Sequence, residues 1–195
     1  MSDPQTSTRW FGMSLRDRIS IALVAALIVA AKFYLRVPLR IPGHSGLFWM
    51  ALLIIGTGII RRPGAGTLIG LISGILAVFV VPGRQGVFTG VKYLAPGIVV
   101  DVLGVLLATR YDRYVVSIIA GAAANIAKLA SAYVVGLLAG IPAGYLAVGL
   151  GFAASTHLVF GAAGGWIAAV IIRQLDRAGV VRKLPAPAPA REVAS

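Results

Sequence analysis

Apolar positions in this 195-residue chain fall into long unbroken runs and do not alternate with polar ones. The runs cover about 19–35, 47–60, 64–81, 88–108, 114–138 and 143–172, with short breaks rich in arginine, proline and glycine. About 20 consecutive apolar residues cross a bilayer as a helix. A membrane β-barrel would instead show alternating segments of about ten residues. The pattern therefore predicts an all-α integral membrane protein with six transmembrane helices. Ser14-x-x-Asp17 has the form of a capping box and starts helix 1 near Leu15. That helix runs to about Leu35 and continues through Lys32-Phe33-Tyr34 without a signal-peptidase site. The second run is short for a full span, so part of the preceding loop is expected to dip toward the membrane. Pro96-Gly97 is expected to bend or break helix 4. The last run is thirty residues long. It is either one tilted, protruding helix or a helix broken at Gly149–Gly151 or Gly161–Gly165.

Three segments result: a polar tail over 1–13, the transmembrane domain over 14–175, and a basic, Pro-Ala-rich tail over 176–195. Composition agrees, with 58% hydrophobic and 12% charged residues and a mean hydropathy of +0.91. The net charge of +12 comes mostly from loops and tails flanking the apolar runs, which points to anionic lipid headgroups and not to nucleic acid. Twelve basic residues lie in the tails and the loops after helices 2 and 4. Five lie on the opposite side, and the positive-inside rule then puts both termini in the cytoplasm. Without cysteine there is no disulfide, thiolate metal site or palmitoylation. His44 and His157 are too far apart in sequence to suggest a metal pair.

One charge stands deep inside an apolar run. Lys128, in the helix 5 stretch that also holds Asn125, costs about 2.5–3.5 kcal/mol on insertion scales and so calls for a partner or a polar cavity. At 1.5 Å per residue it lies about 21 Å above Tyr114. The same count puts His157 about 24 Å above Arg173, Lys92 and Tyr93 about 23 Å above Ala108, and Lys32 about 22 Å above Asp17. Four helices thus bring polar groups to one level in the outer half, beneath the loop carrying His44 and Trp49. All six acids map elsewhere. Asp101 sits about 10 Å above Ala108, too deep for easy pairing with Lys128. A pocket with Lys and His but no carboxylate suits an anionic or neutral polar ligand. Plainer readings stand beside this one: Lys32 and Lys92 snorkelling to headgroups, His157 as a packing residue, and Asp101 as a structural group.

Helix 1 carries Ala22-x-x-x-Ala26-x-x-x-Ala30 on one face, a stripe that lets another helix approach closely. With the six-helix layout, the long loop after helix 1 and Arg61-Arg62-Pro63-Gly64-Ala65-Gly66 entering a glycine-rich helix 3, the chain resembles the S-components of energy-coupling factor (ECF) transporters over about 15–175. These are the substrate-binding membrane subunits of an ABC-type system that takes up vitamins and micronutrients in prokaryotes. The resemblance implies that the alanine face docks on a coupling membrane subunit and that loop 36–46 closes over the pocket. It also implies that the subunit topples in the cell membrane, driven by two separate ATPase subunits. The chain has no phosphate-binding loop of its own, so no cofactor is expected here and ATP would be used by the partners. No nucleophile–base set suggests an enzyme. A small structural or assembly subunit of a larger membrane complex is the alternative.

Overall fold

The structure is a computed structural model and describes residues 13–34, 41–80, 86, 88–108 and 110–179. Among these residues all regular structure is helical: α1 Leu15–Tyr34, α2 Gly46–Ile60, α3 Ala65–Val80, α4 Phe88–Leu106, α5 Tyr114–Leu138, α6 Ala143–Ala147 and α7 Leu150–Arg177. The expected helix 1 start is met by a reciprocal capping box. The Ser14 N–H donates to Asp17 Oδ2 at 3.1 Å, and the Asp17 N–H to Ser14 Oγ at 3.2 Å. Pro96 lies inside α4 without ending it.

The last apolar run is two helices and not one. It breaks at Gly149, whose φ of +75° is a left-handed conformation that ends the short α6 before α7 begins. The other candidate break, Gly161–Gly165, lies within α7. That helix ends at Arg177, two residues beyond the expected domain edge. α4, α5 and α7 are each long and apolar enough to cross a membrane, while α2 and α3 are shorter apolar helices.

Two helix pairs form the frame, and small residues make both possible. Between α5 and α7, Gly121 and Gly161 face each other so closely that a Cβ on either would overlap the other's carbonyl. Gly165 meets the Ser117 carbonyl in the same way. Between α3 and α4, Gly66 and Gly70 approach Gly97, and a Cβ on Gly74 would lie 2.9 Å from the Gly90 carbonyl oxygen. Lipid tails are as apolar as leucine, so this close backbone contact, and not exclusion from water, holds membrane helices together. α2 fills the middle, with Met50, Leu53, Ile54 and Ile60 buried against Ile21, Ile28, Ile69, Val100 and Ile172.

The helix ends rich in arginine are clasped by polar bonds. Asp17 pairs with Arg62 at 3.2 Å and Asp176 with Arg61 at 3.6 Å. Arg173 donates to the Asp112 carbonyl at 2.7 Å and stacks on Tyr114 at 4.0 Å. Tyr111 is fully buried and donates to the Val100 carbonyl, while its own carbonyl accepts Ser117 Oγ at 2.6 Å. Burial, and then the nearby Asp101 carboxylate, push the Tyr111 phenol well above its ordinary pKa.

Candidate ligand site at the lysine end

At the opposite end of the bundle, five helices and one turn bring the polar layer together. The turn over 41–45 leads into α2, and Gly43 with φ +80° lets it fold tightly over α7. A Cβ at Gly43 would lie 2.8 Å from His157 Nδ1, and one at Gly46 would collide with the Asn125 carboxamide. Ser45 is thereby set over α5, where its Oγ accepts a hydrogen bond from Lys128 Nζ at 3.0 Å.

The rest of the group is built from aromatic rings and cations. Lys128 Nζ lies 5.3 Å from the centre of the Trp49 ring. Trp49 packs on Tyr93 with ring centres 5.1 Å apart, and Lys32 Nζ lies 4.9 Å from the Tyr93 ring centre. Both rings are buried. Aromatic faces are electron-rich, so each ammonium gains a favourable contact that partly offsets its removal from water. Asn125 is fully buried and bridges to α7 by donating Nδ2–H to the His157 carbonyl at 2.8 Å. The His157 ring turns back along its own helix, with Nδ1 2.8 Å from the Ala153 carbonyl.

Two buried polar atoms in this group have no hydrogen-bond partner: Tyr93 Oη and Asn125 Oδ1. Because Nδ2 faces a carbonyl it must be the donor side of the amide, which leaves Oδ1 as an unfilled acceptor. A buried polar group left unpaired costs about 1–3 kcal/mol, and such groups in a native site point to something that completes them.

The eight residues expected to bind ligand therefore share this end. Lys32, Lys128, Asn125, Tyr93, Trp49 and His157 are joined by the contacts above, and Lys92 precedes Tyr93 on α4. His44 lies in the turn folded over this group, with its Nδ1 2.6 Å from the Ile41 carbonyl. The first five residues of the expected lid, 36–40, lie outside the described residues. Ser45 was not singled out from the sequence, where nothing marks one loop serine as the partner of a lysine 83 residues away.

Asp101 belongs to the other end. Its carboxylate accepts the N–H groups of Gly66 at 3.0 Å and Thr67 at 2.6 Å, capping the first turn of α3 from α4. The four acids among the described residues, Asp17, Asp101, Asp112 and Asp176, all lie at the arginine end, so the lysine group has no carboxylate beside it.

The family described as "ABC-type cobalt transport system, permease component" matches residues 18–130, more than half of the chain. The chain belongs to this family. A solved structure, "Crystal structure of an S-component of ECF transporter", superposes with a TM-score of 0.64 over 86% of this chain and 88% of that one, at 16% identity. The two share a fold. No curated protein matches the chain. Family and fold are those of transporter components, and they make this a multi-pass membrane subunit of an ABC-type transport system.

Proposed function

We propose that the chain is the substrate-specific subunit of an ECF-type uptake transporter and captures a small anionic or neutral polar metabolite at the lysine end. The observation that carries this reading is the pair of unfilled buried polar atoms, Asn125 Oδ1 and Tyr93 Oη, set among three lysines without a carboxylate. Asn125 Oδ1 requires an N–H or O–H donor on the ligand. The lysines favour a carbonyl, carboxylate or other electron-rich acceptor, and the Trp49–Tyr93 pair offers a flat face for a ring. The name of the family mentions cobalt. Among the described residues no three His, Cys, Asp or Glu side chains converge as ligands for a metal ion, which favours an organic substrate.

Six spans with both termini in the cytoplasm put the lysine end outside and the arginine clasp inside, with α6 as an outer appendage of the sixth. The turn over 41–46 covers the site. Ala22 and Ala26 face away from the bundle and Ala30 partly so, which suits docking on a coupling membrane subunit. Two ATPase subunits then supply the energy for toppling.

Mass spectrometry of molecules released from the purified subunit tests the reading. The expected result is one small metabolite with a ring and an N–H or O–H donor, uncharged or anionic, lost from Lys128→Met and Asn125→Ala. A tightly bound metal ion or organic cation overturns it.

A further inference from the structure

The stretch between α5 and α7 is built unlike the rest of the bundle. α5 ends in a Schellman motif: the Ile141 N–H donates to the Gly136 carbonyl, and the Gly140 N–H to the Leu137 carbonyl, at 3.0 and 2.9 Å. Gly140 has φ +81° and Gly149 φ +75°, and a Cβ at either would meet nothing within 4 Å. Between these two left-handed joints lies α6, closed on itself by bonds from Tyr145 and Leu146 to the Pro142 carbonyl. From Leu137 to Phe152 every residue is exposed except Leu146.

Leu146 seats on Gly136, where a Cβ would come within 3.1 Å of its methyl groups. Around that seat is an apolar groove of about 180 Å³, lined by Leu129, Ala132 and Tyr133 of α5 and Leu150 and Ala153 of α7. Two of its lining residues are neighbours of the ligand group along their helices. Leu129 follows Lys128 in the chain, and the Ala153 carbonyl faces the His157 ring. We propose that α6 is a movable strap that covers the outer end of the α5–α7 cleft and swings on Gly140 and Gly149 to open a second way to the Trp49 site. The motion leaves the hydrogen bonds of α6 intact and lifts one leucine from its seat. In a membrane that seat is held by packing contact alone.

The chain has no cysteine, so a reversible lock can be built cleanly. A cysteine at 146 puts sulfur near the Leu146 Cγ position, 3.7 Å from where a Cβ at 136 would lie, and an inward shift of under about 1 Å brings it to the roughly 3 Å that a disulfide needs. The protein to test is Gly136→Cys/Leu146→Cys with Trp10→Phe and Trp166→Phe, so that Trp49 is the only emitter. Neutral acrylamide is the probe, and it requires no substrate. The expected result is a Trp49 quenching constant at least threefold lower in the oxidised than in the reduced protein. Leu146→Ala, which empties the seat and leaves Gly136 unchanged, is expected to raise quenching at least twofold. Quenching that is unchanged in both overturns the strap, whatever substrate the site takes.

Discussion

At the scale of single residues, Asp101 and Lys128 are charges within apolar helices that differ in their surroundings. Asp101 ties α4 to α3 by taking two N–H groups that the helix start would otherwise leave unpaired. Hydrogen bonds to a charged group are worth about 1.5–3 kcal/mol each when the partner is left buried. Asp101→Ala is therefore expected to destabilise the subunit by about 3 kcal/mol or more, and Asp101→Asn by about half as much because it keeps one acceptor. Thermal unfolding in detergent measures both, and the amount of bound ligand per folded protein should stay at the wild-type level. Ligand loss at unchanged stability would move Asp101 into the site. Lys128 is the reverse case. Lys128→Met keeps the length and apolar stem, so stability should change by less than about 1 kcal/mol while bound ligand is lost. A Lys128→Met protein that still carries its ligand would leave the lysine with a packing role only.

At the scale of elements, glycine decides where helices touch. Gly165 and Gly151 lie on the same helix, but a Cβ at the first would run into the Ser117 carbonyl and one at the second would meet nothing. Gly165→Ala should cost about 1–3 kcal/mol or more, because backbone cannot step aside as a side chain does. Gly151→Ala should be neutral or stabilise by up to about 1 kcal/mol, through helix propensity alone. Paired unfolding curves of the two variants check this, and equal effects would refute the close α5–α7 contact. The same contrast explains what the chain reveals before it folds. The capping box at Ser14 and Asp17 is local, so its two bonds were legible, as were α1, α2 and α5 to within a residue or two. Gly149–Gly151 and Gly161–Gly165 look alike as sequence. Only the second has a neighbouring helix to pack on, so it stays helical while Gly149 turns the chain. Lys128, Asn125 and His157 fall at one depth by residue counting alone. The bond to Ser45 and the cap on α3 span 83 and 34–35 residues, and no spacing rule reaches that far.

At the scale of the whole molecule, the proposed binding and coupling surfaces are separate, and that separation can be tested. Leu15, Ile19, Leu23 and Leu27 are exposed on α1 beside Ala22 and Ala26. Large apolar side chains facing lipid need no explanation, but a row of alanines gains nothing from lipid and much from a second helix laid across it. The opposite side of α1 is spent on the bundle, with Ile21, Ala25, Ile28 and Val29 buried and the Ala25 carbonyl near Ser73 Oγ at 3.4 Å. Ala26→Trp places a large ring on the outward face without touching that core. The variant should fold with wild-type stability and keep its ligand, yet lose at least tenfold in uptake by whole cells and fail to co-purify with a coupling subunit and ATPases. Lys128→Met should show the opposite pattern, assembling normally while carrying nothing. If Ala26→Trp instead assembled and transported as well as the parent, the docking face would have to lie on another helix. If both variants lost assembly together, the two ends would not be separable, and the chain would act as a structural subunit whose lysine group holds it in shape.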